Sequence, residues 1–181
     1  MSAVRYDTFP SPIGALTVAA NHAGVRHILF AQNRYDAVGR ALWVHDPEAA
    51  LVREAREQLL DYLHGGRRRF DLPLAPAGTP FQLEIWHTLA QIPFGQTWSY
   101  VQLAQAVGRP AASRAVGAAN GRNPLPIVLP CHRVIGANGA LTGFGGGLPT
   151  KQALLQLEGW SPRQRARADD LFAHAHPPHT P

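Results

Sequence analysis

The sequence predicts an α/β protein in two parts: a small strand-bearing part with one helix, then a mainly helical part. Three observations carry this. Residues 4–30 alternate apolar and polar side chains with the period of two that strands require. Beyond residue 78 that period gives way to helical spacing, opened twice by Thr or Ser with Gln three residues later. Between them, Arg67-Arg68-Arg69 through Ala75-Pro76-Ala77-Gly78 reads as a strand remnant and then a linker. The expected division is therefore 1–78, 79–160 and a tail, 161–181.

Taken in order, Leu16-Thr17-Val18-Ala19 and Val25-Arg26-His27-Ile28-Leu29-Phe30 flank Asn21-His22-Ala23-Gly24, which predicts a hairpin. A helix follows, with Asp46 as N-cap and Pro47 in its first turn. Val52, Ala55, Leu59 and Leu63 give its apolar stripe, and Gly65-Gly66 ends it. Thr79-Pro80-Phe81-Gln82 opens a helix with Leu83, Trp86 and Leu89 on one face; Ser99-Tyr100-Val101-Gln102 opens another, ending at Gly108 before Pro110. A third runs from about Ala111 to Asn120 and stops at Gly121. Helix, short Gly-Arg-Pro turn, helix is the outline of a helix-turn-helix. A last helix runs from about Pro149 to Glu158. The tail, with Arg163, Arg165, Arg167, His174, His176 and His179, has no periodicity and is expected to be disordered.

Composition narrows the class. No apolar run approaches the ~20 residues of a membrane-spanning helix, and the N-terminus lacks the apolar core of a secretory signal. The net charge of +5 is unevenly spread. Residues 79–160 hold Arg109, Arg114, Arg122, Arg133 and Lys151 against Glu84 and Glu158 alone, a balance that suits a polyanion.

Cys131 is the only cysteine. One thiol excludes an internal disulfide, a Cys-x-x-Cys redox pair and a multi-thiolate zinc site. What remains is a buried structural thiol or a single nucleophile. His132 beside it, Asn123-Pro124 upstream and Gly143, Gly145, Gly146 and Gly147 downstream favour a thiol presented at a pocket. A free thiol also suits a reducing cytoplasm, the expected location.

The stretch Asn123-Pro124-Leu125-Pro126-Ile127-Val128-Leu129-Pro130-Cys131-His132-Arg133-Val134-Ile135-Gly136 closely resembles the active-site signature of the O6-alkylguanine-DNA alkyltransferases. The resemblance runs collinearly from Thr79 to Gly159 through Arg114-Ala115-Val116-Gly117-Ala118-Ala119-Asn120-Gly121. Ser11-Pro12-Ile13-Gly14 followed by Leu16 resembles the opening of the family's N-terminal domain. It implies a ribonuclease-H-like scaffold followed by a winged-helix-like domain that carries the chemistry. The implied reaction moves an alkyl group from guanine O6, and from thymine O4, in double-stranded DNA to the cysteine sulfur, once per molecule.

The resemblance also implies roles. Cys131 is the nucleophile, His132 its base through a bridging water, and Glu158 the carboxylate that orients the histidine. Tyr100 contacts the extruded purine and helps protonate it as it leaves. Asn123 ties the recognition-helix turn to the active-site strand. Arg114 fills the gap left by the extruded base, and Ala115, Gly117 and Ala118 let the helix approach the minor groove closely. Arg122 and Arg133 are expected on the DNA side. Tyr100, Phe144, Gly145, Gly146 and Val134 are expected to line the base pocket. Phe144 stands where the family usually has tyrosine, so the ring is kept and the hydroxyl lost.

No Gly-x-Gly-x-x-Gly fingerprint is present, so no nucleotide-type methyl donor is implied and no cofactor is expected. Some family members bind zinc through N-terminal cysteines, which this chain lacks; no metal is expected. A monomer without an obligate protein partner and without a membrane is anticipated. Three other readings compete: a lesion-binding protein without chemistry, which Cys131 opposes; a winged-helix regulator, which gives the Pro-Cys-His-Arg segment no purpose; and a cysteine hydrolase, which gives Arg114 none.

Overall fold

Strands Arg5–Phe9 (β1), Leu16–Asn21 (β2) and Gly24–Phe30 (β3) form an antiparallel meander, and Val44–His45 (β4) adds a short parallel edge, giving the order β3-β2-β1-β4. This computed structural model describes residues 2–161, so the expected disorder of the tail falls almost wholly outside the described residues. At the tip of the β2–β3 hairpin the Asn21 Oδ1 accepts from Ala23 N at 3.0 Å, an Asx turn. Gly24 has φ +148°, and a Cβ there would lie 2.7 Å from the Pro73 carbonyl oxygen. The close approach has a cause: Pro73 O accepts from Val25 N at 2.8 Å, and Ala75 N donates to Val25 O at 2.9 Å.

Residues 67–78 are therefore not a free linker. The Gln58 amide bonds Asp71 in both directions at 2.9 Å, and Phe70, Leu72 and Leu74 pack on the core. The helix before it, Ala50–Leu63 (α1), buries Val52, Ala55, Leu59 and Leu63 as the stripe predicts, and Gly65 ends it at φ +82°. Its start differs. Ala49, not Asp46, is the N-cap. Asp46 instead pairs with the Arg5 guanidinium at the sheet edge, and the chain turns through 46–49 before the helix begins.

The second part opens with Pro80–Leu89 (α2), whose capping box is complete: Gln82 N to Thr79 Oγ1 at 3.2 Å and Thr79 N to Gln82 Oε1 at 3.0 Å. Trp98–Ser99 (β5) leads into Tyr100–Ala106 (α3), capped reciprocally by Ser99 and Gln102. After a 3-10 turn at Pro110–Ala112 comes Ser113–Gly121 (α4). Val134–Ile135 (β6) pairs parallel with β5, and Leu148–Leu157 (α5) closes the part.

One core runs through both parts, from Phe9 and Leu16 through Leu59 and Trp86 to Leu125 and Leu154. The Trp86 indole N–H donates to Ala119 O at 2.8 Å, fixing α2 to α4. Ile28 N donates to Pro124 O at 2.9 Å, joining β3 to the segment that leads to the cysteine. None of the described helices is long and apolar enough to cross a membrane.

Candidate active site

Pro124, Pro126 and Pro130 hold the approach to Cys131 in a fixed path. Asn123 braces it: its Nδ2 donates to Leu129 O at 2.7 Å, and its Oδ1 accepts from Leu125 N at 2.9 Å. Ile127 sits at φ +75°, a strained conformation for a β-branched residue, with its side chain fully in the core. Cys131–Arg133 then form a 3-10 turn rather than the expected strand. Successive side chains on such a turn leave the backbone roughly 120° apart instead of alternating between two faces.

Two of them converge on Glu158, the residue that caps the C-terminus of α5. His132 Nε2 lies 2.9 Å from Glu158 Oε1. Arg133 donates from Nε to Oε2 at 2.9 Å and from Nη2 to Oε1 at 2.8 Å, and from Nη1 to Ile92 O at 2.6 Å. Gly95 N reaches Oε2 at 3.2 Å, and the Tyr62 hydroxyl, from α1, donates to Oε1 at 2.5 Å. Arg133 is thus 7% exposed, and its expected place on the DNA side is corrected. All three of its nitrogens are engaged inside the protein, so the buried guanidinium is not presented to a phosphate.

Burial alone would push the Glu158 carboxyl up. The bonds from His132 and Arg133 outweigh it and hold the group down at about 2. Burial lowers the basicity of His132, against the pull of Glu158. Because Arg133 already neutralises Glu158, His132 can stay neutral, its Nε2–H on the carboxylate. Its Nδ1 is buried without a hydrogen-bond partner among the described residues, which leaves a lone pair to receive a proton.

The Cys131 thiol is 5% exposed, and burial pushes its ionisation up; the Asn123 side chain, the Lys151 charge and nearby backbone act the other way. Lys151 is fully buried, with Nζ donating to Val134 O at 2.6 Å and Thr142 O at 3.0 Å. Burial lowers its ammonium to about 8, with Cys131 opposing. Thr142 O also accepts from the Tyr100 hydroxyl at 3.2 Å, and burial raises Tyr100 above its ordinary value.

Cys131 borders a cavity of about 500 Å³ shared with Ile28, Phe30, Asn123, Phe144 and Gly145. Tyr100 borders a neighbouring groove of about 480 Å³, with Arg114, Gly117 and Ala118. Gly143, Phe144 and Gly145 line both. Val134 lines neither: its side chain is fully buried, and its carbonyl is held by Lys151, which corrects its expected place in the pocket wall. Phe144 packs on Phe30 with ring centroids 5.4 Å apart. Gly146 is small for a packing reason, since a Cβ there would lie 2.6 Å from the Phe30 ring. On α4, Val116, Ala119 and Asn120 face inward, while Arg114, Ala115 and Ala118 are exposed. Gly117 is half-buried against Tyr100, and Arg122 is exposed just past the helix.

Two family descriptions match this chain: "6-O-methylguanine DNA methyltransferase, ribonuclease-like domain" over residues 4–76, and the same family's "DNA binding domain" over 80–160. The chain belongs to the 6-O-methylguanine DNA methyltransferase family. A methylated-DNA–protein-cysteine methyltransferase of Methanosarcina acetivorans is 46% identical over 154 residues, 85% of this chain and 97% of that protein. The constitutive methylated-DNA–protein-cysteine methyltransferase of Bacillus subtilis is 43% identical, covering 84% and 94%. The crystal structure of Mycobacterium tuberculosis OGT in complex with DNA matches with a TM-score of 0.78 at 45% identity, covering 85% of this chain and 92% of that one.

Two residues of this methyltransferase-family site escaped the sequence reading. Tyr62 continues the apolar stripe of α1, three residues after Leu59, and a tyrosine on a buried face needs a partner for its hydroxyl. Lys151 shares a face of α5 with Leu154 and Leu155, a spacing that marks a buried cation.

Proposed function

We propose that this protein is a methylated-DNA–protein-cysteine methyltransferase, which repairs DNA by taking the alkyl group of O6-alkylguanine onto Cys131. The observation that carries the reading is a lone thiol bordering a cavity and followed by a histidine whose second nitrogen is committed to a carboxylate. His132 Nδ1 takes the thiol proton through a water molecule, with Glu158 holding the ring and Arg133 holding Glu158. The Cys131 sulfur then attacks the alkyl carbon in line. The S–C bond forms as the C–O6 bond breaks, and the bonding pair leaves with the purine. Tyr100 hands the purine a proton, which His132 restores through solvent, so the thiol proton ends on guanine. The thioether has no route back, and each molecule acts once.

Arg114 and the small exposed face of α4 support sequence-independent entry into the minor groove with the base extruded. The Gly143–Gly147 stretch and Phe144 would cover that base. O4-alkylthymine fits the same chemistry. We place residues 1–78 as the scaffold and 79–160 as the reacting domain, acting as a monomer in the cytoplasm, where a free thiol stays reduced.

Intact-protein mass after incubation with a duplex carrying one O6-methylguanine tests the proposal. One methyl group gained per molecule, confined to Cys131 and lost in Cys131→Ala, is the expected result. No gain, with lesion-selective binding kept, would leave a lesion-binding protein instead.

A further inference from the structure

The loop that follows β3 carries a cluster that the chemistry above does not use. Two guanidiniums lie over one ring there: Arg122 is 4.6 Å from the Tyr35 centroid and Arg34 is 5.5 Å from it. The two charges are therefore no more than about 10 Å apart, the sum of those distances. All three residues are exposed, Tyr35 at 42%. Among the described residues, neither guanidinium has a carboxylate within ion-pairing distance. Asp36, the adjacent acid, is engaged with Arg40 at 3.2 Å.

The loop is held in place. Asn33 closes it on Phe30, with Oδ1 accepting from Phe30 N at 3.1 Å and Nδ2 donating to Phe30 O at 2.6 Å. Arg34 N donates to Gly145 O at 3.1 Å, so the loop is tied to the glycine stretch of the pocket. Arg34 and Tyr35 border the same 480 Å³ groove as Arg114, Gly117 and Ala118. A cation–ring contact at an exposed site is weak and does not by itself account for gathering two like charges there. Two like charges brought together without a counter-charge, beside a groove that already presents Arg114, match a polyanion.

We propose that Arg34 and Arg122, gathered on the ring of Tyr35, form a binding site for a backbone phosphate of the lesion-bearing DNA strand, so that the N-terminal part contacts DNA directly. This rests on the repair function proposed above. Counterion release makes it measurable: each phosphate neutralised contributes about 0.9 to the slope of log K against log salt.

The experiment uses the full chain with Cys131→Ala, which keeps the complex unreacted, and a labelled duplex holding one O6-methylguanine. Arg34→Ala is expected to lower the magnitude of the salt slope by about 1, and Arg34→Lys to restore it. Arg53→Ala, which removes the same charge from α1, is expected to keep the parent slope. Tyr35→Ala should weaken binding several-fold while Tyr35→Phe does not. An unchanged slope in Arg34→Ala, or an equal loss in Arg53→Ala, overturns the site. If the parent with Cys131 takes no methyl from this duplex, the repair reading fails instead, and slopes on an unmodified duplex still decide the phosphate site.

Discussion

The Glu158 cluster and the outer face of α4 lie in the same domain and are built on opposite terms. Around Glu158 the carboxylate is fully engaged: it receives Tyr62, His132, Arg133 and Gly95, all in a water-poor interior, while His132 Nδ1 keeps no partner among the described residues. On α4, Arg114, Ala115 and Ala118 have almost no commitments and face outward. The first region holds a proton acceptor in one state, and precision there depends on stability. In the proposed function the second meets DNA of any sequence, and its usefulness would lie in making few demands. Changes in the two regions should therefore be read by different instruments.

The largest effect should come from Glu158→Ala. It strands Arg133 as a buried charge, which costs about 3–5 kcal/mol, visible as a lower urea midpoint. It also releases His132, and single-turnover methyl transfer should slow by about 10²-fold or more. A protein as stable as the parent would break the contrast at once.

Acid unfolding sharpens the same point. The folded Glu158 carboxyl is held at about 2, below its ordinary 4.5. A depressed carboxyl stabilises the fold above its ordinary value, and that contribution fades as pH falls from about 4.5 toward 2. The shift is worth on the order of 3 kcal/mol. Urea midpoints at pH 6 and pH 3 should therefore lie closer together in Glu158→Gln than in the parent.

Two arginines of the same domain offer the cleanest crossing. Arg133→Ala should destabilise by about 3 kcal/mol and leave the salt slope of DNA binding alone. Arg114→Ala should keep stability within about 0.5 kcal/mol and weaken DNA binding, with slower transfer at limiting DNA. If both variants lost DNA affinity equally, the division between inner and outer arginines would be wrong. Near the thiol, Lys151→Met removes a charge that favours the thiolate. Alkylation of Cys131 by iodoacetamide at pH 7.5 should therefore be slower than in the parent. The smallest change is Gly117→Ala. A Cβ there meets the Tyr100 ring at 3.5 Å, ordinary contact, and the helix should gain about 0.5–1 kcal/mol in thermal unfolding.

What could be read from the sequence was what local geometry determines. The capping boxes at Thr79 and Ser99 act over three residues, so their pattern names the helix starts. The outward face of α4 follows from helical spacing alone. The start of α1 was misplaced because Asp46 is engaged by Arg5, a partner 41 residues away. Arg133 reads as surface because charge usually does; its carboxylate lies 25 residues on. Tyr62 joins the site across 96 residues, and no local pattern carries that information. Cys131 and Glu158 were legible through family resemblance, while the turn that aims Cys131 was not, since Pro-Cys-His-Arg fits a strand equally well.

The strap at 67–78 has a consequence for how the molecule would come apart. It is pinned by Gln58 and by Val25, and the parts it joins share one core and the Tyr62–Glu158 bond. A protease that nicked the backbone between Gly66 and Thr79 would not release two separate bodies. The fragments would stay together as a non-covalent pair, and neither would be expected to survive heating alone.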